Sequence, residues 1–190
     1  SKMDMYQVKW TRLQAQIFRL LCVKTGQTLN LREIARQLRV SPTAVSNALK
    51  ELQKEELVKV KKSERMNLLS IELNRHNHKA IQMKRTENLK MVYESGLADF
   101  LFSEFPGCTA VIFGSYSLGE DVFFGENDER NSDIDIAIIG TTGKELDLKE
   151  YNKLLERTIS INFYKSWQEI HKQLKESILK GITLSGGIEL

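Results

Sequence analysis

Residues 31–62 read LREIARQLRVSPTAVSNALKELQKEELVKVKK, two short helical patterns and a strand-like run separated by turn residues. Asn30 stands just before this stretch with Glu33 three residues on, a capping-box pair that predicts a short helix ending at about Leu38. Val40 and Ser41 form the turn. Ser41 is a good N-cap and Pro42 fits the first helical position, where a missing N–H costs nothing, so another helix is expected from Pro42 to about Glu55. Val45, Leu49 and Leu52 share one of its faces and belong to a core; Thr43, Ser46, Asn47 and Lys50 share the other. Upstream, Leu13, Ile17, Leu20 and Leu21 recur at helical spacing between Thr11 and Lys24, and Gly26 closes that segment. Downstream, Leu57–Lys62 and Asn67–Leu73 are strand-like runs joined by a polar turn at Glu64–Met66.

Helix, helix, helix, hairpin is the order of a winged helix, and over roughly residues 10 to 74 the sequence resembles the winged helix-turn-helix family. Ala35 is small where the paired helices would cross, and SPTAVSNALKEL is followed by a basic wing. The resemblance implies that the second of the paired helices enters the major groove of double-stranded DNA while the wing lies along the backbone. It makes Thr43, Ser46, Asn47 and Lys50 candidate groove residues, and Lys59, Lys61, Lys62 and Arg65 candidate phosphate contacts. Charge agrees. Residues 1–75 hold 15 Lys and Arg against 7 Asp and Glu, a balance of +8, whereas the rest of the chain holds 13 against 18, or −5, inside an overall +3. Only the N-terminal part is built to meet a polyanion. The resemblance also implies that two chains could pair as a homodimer, since winged regulators commonly bind as dimers on paired half-sites.

From His78 to about Phe105 the pattern is helical again, expected as a connector over residues 76–106. Thr109–Phe113 is a β-branched and apolar run ending in Gly114 and Ser115, a strand followed by a turn where a phosphate could approach the backbone. SDIDIAII follows, in which period-2 geometry sets Asp133 and Asp135 on one face and the isoleucines on the other. Adjacent carboxylates repel unless a cation sits between them, and Mg²⁺ bridging them to a nucleoside triphosphate would satisfy that need. VIFGSYSLGE…SDIDIAII resembles the minimal nucleotidyltransferases of the DNA polymerase β superfamily, and the resemblance runs from about Cys108 through the closing LKGITLSGGIEL. It implies nucleotide binding by Gly114 and Ser115, with Asp133 and Asp135 as metal-holding and catalytic acids.

Three positions depart from that family's pattern. The interval between Ser115 and Asp133 is 17 residues, and its GEDVFFGENDERN is acidic enough to disfavour a polyanion. Leu118 stands where many members have an arginine. The next strand, Thr158–Tyr164, offers Ser160 and Asn162 in place of a third carboxylate. A helix over about Lys144–Arg157 and one opened by Ser166, with Glu169 at the capping-box position, complete the unit.

The expected architecture is α+β in two domains: a winged helix-turn-helix over 1–75 and, after the connector, a small α/β nucleotidyltransferase-like domain with a mixed sheet over 107–190. The first reading of function is a DNA-binding transcriptional regulator whose second domain binds nucleotide and Mg²⁺, catalytically weak or inactive. An active transferase moving a nucleoside monophosphate onto a protein, nucleic-acid or small-molecule hydroxyl is the alternative, and an antitoxin-like module with a protein partner is a third. Cys22 and Cys108 lack zinc spacing and read as buried thiols, and His76 and His78 read as solvated residues of a polar connector. No run of about 18 apolar residues offers a membrane span and the start lacks a signal-peptide pattern, so a cytoplasmic location is expected.

Overall fold

The computed structural model of this 190-residue chain describes residues 9–62 and 68–188, and it divides into two compact units, residues 1–80 and 81–190.

The first unit contains α1 (Arg12–Val23), α2 (Leu31–Leu38), α3 (Pro42–Lys54), β1 (Val58–Lys62) and β2 (Leu69–Leu73). Each helix begins on a side-chain cap. The Thr11 hydroxyl accepts from the Gln14 N–H, and Asn30 and Glu33 make the reciprocal box expected from their spacing, at 3.0 and 2.7 Å. Ser41 accepts from the Ala44 N–H at 3.2 Å. Caps of this kind contribute about 1 kcal/mol each. Arg39 ends α2 in the left-handed region at φ 55°, turning the chain sharply enough for Ser41 to open α3. Ile17, Phe18, Leu21, Ile34, Ala35, Val45, Leu49 and Leu52 supply the buried faces of the three helices. β1 and β2 pair antiparallel, and Leu29 adds a further rung by exchanging backbone hydrogen bonds with Ile71.

The second unit holds a four-stranded mixed sheet in the order β5 (Ile159–Tyr164), β4 (Ile134–Ile139), β3 (Thr109–Phe113), β6 (Ile182–Ser185). β4 runs parallel to β5 and antiparallel to β3, which also pairs antiparallel with β6. Alternation splits β4. Ile134, Ile136 and Ile138 pack with Val92, Leu97, Leu101 and Phe105 from α4 (His78–Glu94) and α5 (Leu97–Glu104). Ala137 faces the other way, with Val111, Phe113 and Ile178 of α8 (Lys172–Leu179).

The structure differs from expectation in four places. Of residues 76–106, expected as a connector, residues 81–106 supply Val92, Leu97, Leu101 and Phe105 to the second core, and their helix breaks at Gly96, which takes φ 79°. Helix α7 covers only Lys149–Leu155. Ser166 opens a single 3-10 turn, Trp167–Glu169, because its hydroxyl caps nothing and Glu169 instead accepts from the Lys165 N–H. Cys22 is buried as expected, but Cys108 is only half-buried. Among the described residues no helix is long and apolar enough to cross a membrane.

Candidate functional site

Two constellations stand out, one in each unit. In the first, α3 buries Val45, Ala48, Leu49 and Leu52 and leaves Thr43, Asn47 and Lys50 exposed, with Ser46 half-buried. Lys50 Nζ donates to Asn47 Oδ1 at 3.0 Å, so the two side chains with the longest reach are already arranged side by side. On the wing, Lys61 and Lys62 are exposed, whereas Lys59 lies directly opposite Glu72 in the strand register, where a facing carboxylate offsets its charge. Arg65, the remaining candidate phosphate contact, lies outside the described residues.

A second cationic row, not among the residues expected from the sequence, lies on α2. Arg32, Arg36 and Arg39 are exposed and recur at intervals of four and three along α2 and its cap, one side of the helix. Their signal is the period of the arginines in LREIARQLR.

The C-terminal end of α3 is fixed by Glu55, whose side chain is 9% exposed. It accepts from Trp10 Nε1 at 3.1 Å and from the ammonium groups of Lys9 and Lys79, each at 2.8 Å. Burial pushes this carboxyl's pKa up, but the hydrogen bonds from Lys79, Lys9 and Trp10 together outweigh it and hold the pKa at about 2. Asn77 donates to the Glu56 carbonyl at 3.0 Å, capping the same end. His76 and His78 are exposed, and no three or more His, Cys, Asp or Glu among the described residues are grouped to hold a metal ion.

In the second unit, β3 ends at Phe113, and Gly114 and Ser115 open the short helix α6 (Gly114–Leu118). Phe113 pairs with Asp135 across the β3–β4 ladder, which brings the Gly-Ser turn and the second carboxylate together. Gly114 has φ 73°, and a Cβ there would lie 2.8 Å from Asp135 Oδ2, so only glycine leaves room for the carboxylate. Asp133 is exposed just before β4; Asp135 is half-buried. Burial, and then the neighbouring Asp133 charge, raise the pKa of Asp135. This pair is the electrostatic arrangement a divalent cation would relieve.

Ser160 is the residue paired with Asp135 on β5, and Asn162 pairs with Ala137, so the strand beside the two acids presents a hydroxyl and an amide. Leu118 ends α6 and adds no cation. The acidic insert is less of an electrostatic barrier than its composition suggests. Asp121 is fully buried and paired with Lys84 and Arg157, and the charge of Asp128 is paired with Arg130 at 2.7 Å.

Residues 14–65, from α1 into the wing, match the MarR family. This segment is similar to the MarR family over its three helices and first wing strand. The MarR match ends at residue 65 and does not reach Gly114, Ser115, Asp133 or Asp135. Among solved structures, a mutant of Lactococcus lactis ZitR is 28% identical at a TM-score of 0.40, over 54% of this chain and 66% of its own. The chain thus spans slightly less than two thirds of that relative's length. The adhesin competence repressor AdcR of Streptococcus pyogenes is 23% identical at a TM-score of 0.41, covering 54% of this chain and 71% of its own. A DNA complex of S. aureus MepR is 20% identical at 0.36, covering 50% and 81%. No curated protein matches the chain.

Proposed function

We propose that the protein is a DNA-binding transcriptional regulator whose second unit binds a nucleoside triphosphate and Mg²⁺ without transferring the nucleotide. The DNA reading rests on α3, where one face is packed into the MarR domain and the other offers Thr43, Ser46, Asn47 and Lys50 to a groove. Asn47 is suited to a paired contact on adenine and Lys50 to guanine or a phosphate. Lys61, Lys62, Arg32, Arg36 and Arg39 supply backbone contacts, with Lys59 a weaker one, and a homodimer presents two such modules to paired half-sites.

The nucleotide reading rests on the approach of Gly114 to Asp135. Asp133 and Asp135 would hold Mg²⁺, and the Gly114–Ser115 turn would take the phosphates. The cation's chemistry there is charge neutralisation between phosphate oxygens and the two acids. Binding without transfer follows from Ser160, which stands beside Asp135 and has no carboxylate to accept the proton of an attacking hydroxyl.

The test is a calorimetric titration of ATP, CTP, GTP and UTP with Mg²⁺ into the full chain and its Asp133→Ala, Asp135→Ala double variant. Metal-dependent binding lost in the variant is expected, with no labelled nucleotide transferred to the protein. Absence of binding by all four would overturn the nucleotide reading and leave the regulator with its DNA module alone. Because Asp135 has a raised pKa, metal affinity rises with pH through its titration as the cation displaces a proton.

A further inference from the structure

Beneath the Gly-Ser turn lies a polar network sealed from solvent. Lys84 and Asp121 are 0% exposed, Asn88 is 2% and Arg157 is 5%. Asp121 Oδ1 accepts from the Lys84 ammonium and from Asn88 Nδ2, the latter at 2.7 Å. Asp121 Oδ2 accepts from Arg157 Nε and Nη2, at 3.2 and 2.8 Å. Asn88 Nδ2 also donates to the Tyr116 carbonyl inside α6 at 3.0 Å, and the Tyr116 hydroxyl donates back to the Asn88 carbonyl at 3.4 Å. One asparagine of α4 therefore ties the body of α6 to the carboxylate that follows it.

Backbone packing reinforces the tie. At Gly119, the left-handed cap of α6, a Cβ would lie 2.6 Å from the Ile81 carbonyl oxygen and 2.9 Å from the Arg85 nitrogen, so α6 ends directly against the α4 backbone. Arg157 precedes β5, the strand that sets Ser160 beside Asp135. Asp121 thus links the three pieces around the acid pair: α4 through Lys84 and Asn88, α6 through Asn88, and the entry to β5 through Arg157. Burying these charges is costly unless every polar atom is matched, so a network of this kind fixes one geometry better than it adds stability.

We propose that Asn88 and Asp121 are positioning residues of the nucleotide site: they hold the Gly114–Ser115 turn at its distance from Asp135 without touching the ligand. The proposal rests on the nucleotide reading given above. Asn88 is the more informative position to change, because Asn88→Ala removes the side-chain tie to the Tyr116 carbonyl, which keeps its bond from the Gly119 N–H, while leaving Asp121 paired with Lys84 and Arg157.

Two measurements on the full chain test it. Amide hydrogen exchange in Asn88→Ala should accelerate at least tenfold over residues 114–120, with the β3–β4 ladder over 134–139 unchanged. Calorimetry should show Mg-nucleotide affinity weakened at least tenfold at a temperature where circular dichroism shows the variant folded. Asp121→Asn should weaken affinity in the same direction. Unchanged exchange over 114–120, or acceleration spread evenly over both segments, overturns the positioning role whatever the nucleotide result. Local acceleration with unchanged affinity in a chain that binds nucleotide also overturns it. If the unaltered chain binds no nucleotide, the nucleotide reading fails, and the exchange result alone tells whether the network holds the turn.

Discussion

Glu55 shows how far one side chain's surroundings decide its behaviour. With its pKa held at about 2 against the usual 4.5, it stabilises the folded unit fully above pH 4.5 and loses that contribution as pH falls through 4.5 toward 2. Lys9 and Lys79 are about half-exposed, so screening limits the effect to about 1–2 kcal/mol. Urea unfolding of Glu55→Gln should show that loss at neutral pH and a flatter acid limb; identical pH profiles would contradict this account. Gly114 permits an equally sharp expectation. Gly114→Ala must accept φ 73° and displace the Asp135 carboxylate, a backbone cost of about 1–2 kcal/mol, and it should lose Mg-nucleotide binding in the same calorimetric assay. On DNA, Asn47→Ala should change which base is preferred at one position, with a cost of about 1–3 kcal/mol on the preferred site. Lys61→Ala should weaken all sequences alike, and competition binding with a panel of duplexes separates the two behaviours.

Among the elements, α3 was the most readable, because its signals are all local: Ser41 as cap, Pro42 at the first position and a clean split between buried and exposed rows. Ser41→Ala should accordingly cost about 1 kcal/mol by chemical denaturation. β3 was readable for the same reason, whereas the Gly114–Ser115 turn expected after it is the start of the short helix α6. Where the sequence misled, the deciding contact was distant or the local signal had a rival. Periodicity runs straight through Gly96, yet a glycine in the left-handed region ends α4 there. The Ser166 and Glu169 pair matches a capping box by spacing, but Glu169 turns to the Lys165 N–H, and α8 starts only at Lys172. Asp121 reads as one more acid in a polar insert, because its partners Lys84, Asn88 and Arg157 are more than thirty positions away. Strand register is equally non-local: nothing near Ser160 in sequence says that it pairs with Asp135.

At the scale of the molecule, charge is divided as the folding units are, with the excess of cations in the part that holds the segment similar to the MarR family. A winged-helix surface with cations on α2, α3 and the wing should bind any duplex weakly and release it as salt rises. The direct measurement is fluorescence anisotropy of a labelled, arbitrary duplex with the full chain across a salt series, repeated with a Lys61→Ala, Lys62→Ala double variant. A linear fall of log affinity with log salt is expected, with a slope shallower by about 2 in the variant, since each phosphate contact contributes about 0.9. No binding at low salt, or an identical slope in the variant, would contradict the placement of the DNA surface on this face of the domain.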